Sequence, residues 1–309
     1  MKKYDVVTAF DFCVDFLMDL GTTEPEFGQK EKLVNNYGLE MGGSACIFAC
    51  QCAKLGLSVT GTGVAGTDSF GAFMFDCLTR GGVDTAHIRT ETDKTALTLC
   101  LNKTGGDRGM LTYMGAMDTI QAAWLEELLP QTRHLHICSY YILKNLQAGY
   151  PAILQKAKSL GTTVSLDTNW DPEEKWDGGI RDILQYVDVF LPNENELMSI
   201  TGKDNVQDAL RYAGGFVPVI AVKCGAKGAY AYCQGTIYKC AAMEIEVADT
   251  VGAGDSFNGG FIYGYLNGYS VEECLKFGTT CGSLNAAKHG GTAGQPRLEE
   301  LGIKIRSSE

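Results

Sequence analysis

Positive charge is what this chain has least of: 26 Lys and Arg stand against 37 Asp and Glu, a formal net charge of −11. Binding to nucleic acid or to an anionic membrane rests on Lys and Arg neutralising phosphates, so both are disfavoured as partners. Long apolar runs are missing too. No stretch approaches the roughly eighteen apolar residues that could span a bilayer. The N-terminal MKKYDVVTAFDF meets Asp5 and Asp11 where a signal peptide needs an unbroken apolar segment, and a cytoplasmic protein is the expectation. Histidine is scarce, and none of the 12 cysteines forms a CxxC pair. Cys46, Cys50, Cys52, Cys100, Cys138, Cys224 and Cys281 sit among apolar or small residues, which reads as buried reduced thiols rather than zinc ligands or disulfides. His134 and His136 alternate in a strand-like run without an acidic or Cys partner spaced for a metal.

What is present is ordinary for a globular protein. With 45% hydrophobic and 20% charged residues, 309 positions suit one large α/β domain carrying an appendage. Residues 4 to 10 read as a buried strand leading to Asp11, Cys13 and Asp15. Gly42-Gly43 opens a helical run from Ser44 to Leu55 with Gly56 as its C-cap. From residue 118 helices and strands alternate: helix Thr119 to Leu129 before strand 134 to 138, helix 148 to 160 before strand 163 to 166, helix 179 to 186 before strand 187 to 191, and helix 204 to 213 before strand 217 to 222. Such alternation predicts a mainly parallel sheet covered by helices on both faces. Two stretches break it. Residues 16 to 40 carry Gly21, Pro25, Gly28 and Gly38 without a helical period, and Thr95 to Tyr113 reads as a hairpin around Thr104-Gly105-Gly106-Asp107. Each is too small for a domain; together they predict a small sheet outside the main one.

Gly61 to Gly66 satisfies G-x-G-x-x-G after a strand, so a dinucleotide-binding oxidoreductase has to be weighed. That fingerprint ends the first strand of its unit and opens a helix at once. Here a helix opens only after Asp68-Ser69-Phe70-Gly71, in the second unit, and the acidic residue near the right distance, Asp84, sits in a turn. The stretch Asp249-Thr250-Val251-Gly252-Ala253-Gly254-Asp255 carries more chemistry. Gly252, Ala253 and Gly254 leave their amides bare, and Phe257, Phe261, Ile262 and Leu266 follow at helical spacing. Free amides and the macrodipole at a helix N-terminus attract an anion. Asp255 would repel that anion unless it takes a proton from the group that attacks it; the plainer reading is a glycine turn with an Asp N-cap.

With Asp249-Thr250 included, this stretch resembles the C-terminal signature of the ribokinase-like, or PfkB-type, carbohydrate kinases, and the likeness runs along nearly the whole chain. The resemblance implies a ribokinase-like α/β fold, with a core of residues 1–13, 41–93 and 117–309 and a β lid of residues 14–40 and 94–116 over a sugar. It implies ATP-dependent phosphorylation of a hydroxymethyl group, with Asp255 as base and Gly252, Ala253 and Gly254 in the anion hole. Matched residue by residue, Asp15, Gly42, Gly43, Arg108, Asp167, Asn169 and Asp255 face the sugar, while Asn193, Lys223, Gly225, Gly228, Gly254 and Asn285 serve ATP. Glu196 organises Mg2+ through its waters, and Asp249 with Val251 holds the monovalent cation, K+, that many members bind. Residues 193 to 196 alone also suit an N-cap with an acidic first turn.

The chain departs from the family at two points. Ile47 stands where an Asn usually reads a sugar hydroxyl, so the substrate's contacts there differ, and the Arg often found after the Asp-x-Asn element is replaced by Trp170-Asp171. Ile47, with apolar Phe10 and Phe12 nearby, leaves a nucleoside kinase of the same fold as the alternative. The exposed edges of the two β stretches predict a homodimer through the lid.

Overall fold

The computed structural model describes residues 2–105 and 107–302; Gly106 of the expected hairpin turn lies outside them. In chain order the strands are β1 (Tyr4–Phe10), β2 (Cys13–Gly21), β3 (Asn36–Met41), β4 (Val59–Gly66), β5 (Ile88–Glu91), β6 (Ala96–Lys103) and β7 (Arg108–Tyr113). They continue with β8 (Thr132–Ile137), β9 (Thr163–Leu166), β10 (Val189–Phe190), β11 (Val219–Lys223), β12 (Ala229–Cys233) and β13 (Thr236–Cys240). The helices are α1 (Ser44–Lys54), α2 (Ser69–Arg80), α3 (Ala122–Leu128), α4 (Lys144–Gln147), α5 (Tyr150–Ser159), α6 (Ile180–Leu184), α7 (Glu194–Thr201), α8 (Val206–Ala213), α9 (Ala253–Leu266) and α10 (Val271–Ala286).

A nine-stranded sheet runs in the order β13-β12-β11-β10-β9-β8-β1-β4-β5. It is parallel from β5 to β11 and antiparallel where β12 and β13 close its edge. Its apolar residues serve two cores. Val7, Ala9, Leu135 and Ile220 pack with Leu125, Ile153, Leu197 and Leu210 of α3, α5, α7 and α8. Val6, Phe10, Val189 and Ala221 pack on the other face with Phe48, Met74, Phe261 and Phe277 of α1, α2, α9 and α10. Burial on both faces is why a strand such as β11 reads as a nearly continuous apolar run. His134 and His136 lie inside β8, hydrogen-bonded to Ser165 Oγ at 2.6 Å each; burial pushes both rings below the usual imidazole range and keeps them neutral.

Several expected boundaries move. The helix expected from Thr119 begins at Ala122, the strand expected at 187 to 191 is only Val189–Phe190, and the strand expected at 217 to 222 runs Val219–Lys223. Strand β13 and helix α7 carry too few consecutive apolar residues to stand out in the sequence. The G-x-G-x-x-G stretch does not follow a strand; it is the last part of β4, with Gly61 and Gly63 packed against Phe10.

The second sheet has the order β3-β2-β6-β7 and is built from the two irregular stretches. Its register puts Glu40, Asp15, Thr98 and Thr112 on one face, and Leu39, Phe16, Leu99 and Leu111 on the other. The first face looks into the crevice at the carboxyl ends of the main strands, where open α/β sheets bind ligands. The second is apolar, and on it Tyr37, Leu111 and Tyr113 are exposed.

Candidate active site

At one point in that crevice the ends of β1, β9 and β11 meet the N-termini of α1 and α9. Gly252 turns the chain into α9 at φ 68°, and a Cβ there would lie 2.5 Å from the carbonyl oxygen of Gly291, so only glycine fits. Ala253 and Ser256 spend their amides on Thr250 and Gly252 carbonyls, while the amides of Gly254 and Asp255 have no acceptor among the described residues. Two bare donors at the positive end of a fourteen-residue helix make an anion site.

Asp255 stands on the floor of the crevice beside them. Burial, then the nearby Asp167 carboxylate, push its pKa well above the usual carboxylate range, opposed by Lys223. Asp167, just past β9, accepts from Lys223 Nζ at 2.5 Å and from Nδ2 of Asn258, which lies one turn beyond Asp255 in α9. Burial alone would lower the Lys223 pKa; Asp167 and Glu196 reverse that and hold the ammonium charged. This one cation faces several carboxyls. Burial, then Asp167, push Glu196 up to about 7, and burial pushes Asp11 up to about 6 although Ser139 Oγ and the amides of Ala45 and Ser44 donate to it. An excess of acid over base at one point favours a bound cation or a retained proton.

The second sheet supplies Asp15, in β2, whose carboxyl lies on the backbone of Gly42; a Cβ at that position would sit 2.4 Å from Asp15 Oδ1. Burial lifts Asp15 to about 6 and the Arg108 guanidinium, at the start of β7, opposes it. Gly43 is the N-cap of α1. Asn169, two residues past Asp167, donates Nδ2 to Ser44 Oγ at 2.7 Å. These elements therefore bring Asp15, Gly42, Asp167, Asn169, Lys223 and Asp255 to one place.

Other expected site residues sit further out or beneath. Asn193 and Glu196 form a reciprocal capping box on α7, and Glu196 is also buried at 4% exposure close to Asp167 and Lys223, so its cap and charge roles coexist. Gly225 and Gly228 shape the turn after β11, while Lys227 between them is exposed and pairs with Glu194 at 3.1 Å. Asp249 accepts from the amides of Val251 at 3.0 Å and Gly290 at 3.1 Å. Asn285, fully buried in α10, donates to the Val251 carbonyl at 3.0 Å and braces the anion loop from beneath. Ile47 is buried with its methyl groups against Gly252 and Gly291, and Phe10 and Phe12 are fully enclosed in the core.

Asp11, Ser44, Ser139 and Asn258 join the site without a role expected from the sequence. Asn258 had a signal, since position i+3 from Asp255 shares its helix face. Asp11 had its place at the end of a strand. Ser139 had none, because its contact with Asp11 spans 128 residues.

Compared with known proteins, the chain is 28% identical over 250 residues to an uncharacterised sugar kinase of Archaeoglobus fulgidus, covering 79% of this chain and 98% of that one. It is 26% identical over 272 residues to the ribokinase of Haemophilus influenzae, covering 86% and 87%. The solved structure of Arabidopsis thaliana ribokinase with ribose and ATP superposes with a TM-score of 0.81 at 22% identity, over 96% and 97% of the two chains, which shows the shared ribokinase-like fold. Residues 9–298 match the pfkB family of carbohydrate kinases, and the chain belongs to that family.

Proposed function

We propose that this protein phosphorylates a hydroxymethyl group of a sugar or sugar-like small molecule at the expense of ATP, in the cytoplasm. The observation that carries the reading is the pairing of a carboxylate, Asp255, with two unoccupied amides in the first turn of α9. The acceptor lies between the lid residues Asp15 and Arg108 and the backbone of Gly42 and Gly43. Asp255 takes the proton of its hydroxyl, the oxygen bonds to the γ-phosphorus as the bond to the β,γ-bridging oxygen breaks, and ADP leaves. Amides of residues 252–255 stabilise the charge that develops on the transferred group.

ATP is served by the turn bearing Gly225 and Gly228 and by Asn193, all at the carboxyl edge of the sheet. The acid-rich surroundings of Glu196 fit a magnesium ion held through water, which would neutralise phosphate charge. Next to Asp249 and Val251, the buried Oδ1 of Asn285 has no hydrogen-bond partner among the described residues, an orphaned oxygen that fits a monovalent cation. Outward residues of the lid are apolar along all four strands, and a second copy of the chain is the partner that covers them. Phe10, Phe12 and Ile47, the residues that left a nucleoside open, are core residues and offer a base no surface.

An ADP-release screen over pentoses, hexoses, keto-deoxy acids and nucleosides, run on the wild type and Asp255→Asn, tests the reading. General-base help is worth ~10²–10⁴ in rate, so kcat of Asp255→Asn drops by about that factor while ATP binds as well or slightly better. Near-native turnover in a well-folded Asp255→Asn protein removes Asp255 from the mechanism, because Asn caps a helix nearly as well as Asp.

A further inference from the structure

The chain enters and leaves the β6–β7 hairpin of the second sheet through two limbs that are tied together at their joint with the main sheet. β5 runs into β6 by way of residues 92–95, and β7 returns through residues 114–121 to α3. Where the limbs cross, the Ala116 amide donates to the Lys94 carbonyl at 2.9 Å, and a Cβ on Gly115 would lie 2.2 Å from that same oxygen. Thr95 Oγ1 accepts from the Gly66 amide at 3.0 Å and donates to Asp68 at 2.7 Å, which anchors the joint to the end of β4 and the start of α2.

A pocket of about 210 Å³ opens between these limbs toward the amino end of β5, away from the crevice at the carboxyl ends of the strands. It is lined by Thr62 of β4, His87 and Arg89 at the start of β5, and Trp124 and Glu127 of α3. The Arg89 guanidinium lies over the Trp124 ring at 4.1 Å, a contact that already joins the limbs. A guanidinium seated on a ring keeps the N–H groups at its edge free to fork onto an anion. Neither Arg89 nor Glu127 has an ion-pair partner among the described residues. Thr62 is 1% exposed, and its Oγ1 has no hydrogen-bond partner among the described residues, an unpaired hydroxyl in the wall of a polar pocket. His87 is steadied by Tyr4, whose hydroxyl lies 3.3 Å from Nε2 and donates to Asp84 at 2.8 Å.

We propose that this pocket binds a sugar phosphate and, through β5 and α3, sets the hinge of the second sheet. The phosphate takes Arg89 and His87, while the Glu127 carboxylate and the Thr62 hydroxyl take sugar hydroxyls; a carboxylate can only accept, so it suits the hydroxyl end of the ligand and not the anionic end. A ligand that joins Arg89 to Glu127 holds β5 against α3 and restrains both limbs of the hairpin whose strand β7 begins at Arg108. It favours the arrangement seen here, with Asp15 against Gly42, and so lowers the acceptor KM by its differential affinity for that state. The effect on turnover rests on the kinase reading; the binding does not.

Isothermal titration calorimetry of the full chain without ATP, with glucose 6-phosphate, glucose, inorganic phosphate and glycine as separate probes, reads the site directly. Glucose 6-phosphate binds, and the other three, each offering part of its chemistry, bind weaker by roughly tenfold or more. Arg89→Met, whose unbranched chain still covers Trp124, weakens glucose 6-phosphate by roughly tenfold or more, the worth of a charged hydrogen bond, and leaves the basal kcat and acceptor KM in place. Thr62→Val keeps the shape, loses severalfold in affinity, and without ligand melts no lower than the wild type because its hydroxyl had no partner to lose. In the ADP-release assay glucose 6-phosphate lowers the acceptor KM of the wild type and leaves that of Arg89→Met unmoved. Affinity that survives Arg89→Met puts the ligand in the crevice and overturns the proposal. So does glycine or inorganic phosphate binding as tightly as glucose 6-phosphate, which would make the pocket a site for a zwitterion or a simple anion. A wild-type KM that ignores bound ligand overturns the link to the hinge. Failure of the kinase reading is seen separately, as an absence of ADP release with every acceptor, while the calorimetry still decides the site.

Discussion

Removing the lysine from the floor of the crevice should cost more than removing its nearest carboxylate. Lys223 keeps 14% of its side-chain surface and Asp167 5%, so this is a buried pair. Truncating one partner of such a pair typically costs ~3–5 kcal/mol, mostly from the charge left behind. Lys223→Met leaves Asp167, Glu196 and Asp255 facing one another, and about 3 kcal/mol is the expectation at pH 8. For 309 residues an unfolding entropy of about 0.65 kcal/mol/K turns that into a melting point lower by about 5 °C. Asp167→Asn is milder, because Glu196 and Asp255 remain to hold the ammonium. The loss in Lys223→Met also shrinks toward pH 5: carboxyls whose folded pKa is raised stabilise the fold when protonated, and that contribution disappears as pH rises through the folded value. Differential scanning calorimetry of both single variants and the double variant at pH 5 and pH 8 measures all of this. An Asp167→Asn protein that melts as low as Lys223→Met would refute the account of a single cation shared by several acids.

Two further outcomes follow from the same geometry. Burial and the nearby Asp167 push Glu196 up to about 7, so Glu196→Gln should melt above the wild type at pH 8 and lose that advantage by pH 5, with the neutral His134 and His136 cancelling in the comparison; its turnover should require more magnesium. On the lid, Tyr113 is 52% exposed and Leu111 64%, so Leu111→Glu with Tyr113→Glu should convert a sedimenting dimer to a species of the chain mass at micromolar concentration, and a wild type that is already monomeric contradicts the lid interface.

How much of this could be read from the sequence depended on the distance over which each feature is encoded. The anion loop is local: Gly252 to Asp255 are contiguous, so their conformation and chemistry are written in one stretch. The parallel core was legible because helices and strands alternate along the chain and because strands buried on both faces, such as β11, are mostly apolar. The β12–β13 edge was not, since strands such as Thr236–Cys240 are only half covered and carry Lys239 in their middle. Asp15 was legible as an acid at a strand end, but its dependence on a glycine at 42 needed the fold of the lid over α1.

Lys223 shows what the linear reading cannot supply. From the chain it belongs to the glycine turn that follows β11 and therefore to the nucleotide; in space it crosses to Asp167, 56 residues away, and its ammonium stands beside Gly254. Parallel strands make such meetings routine, because each delivers its next residue to the same edge regardless of where it falls in sequence. The acids at the ends of β1 and β9 and those opening α7 and α9 are unremarkable one at a time. Burial is the first cause of the raised pKa of Asp11, Glu196 and Asp255, and the sheet brings these three to one edge beside Asp167 and Lys223, an assembly that favours bound cations and retained protons.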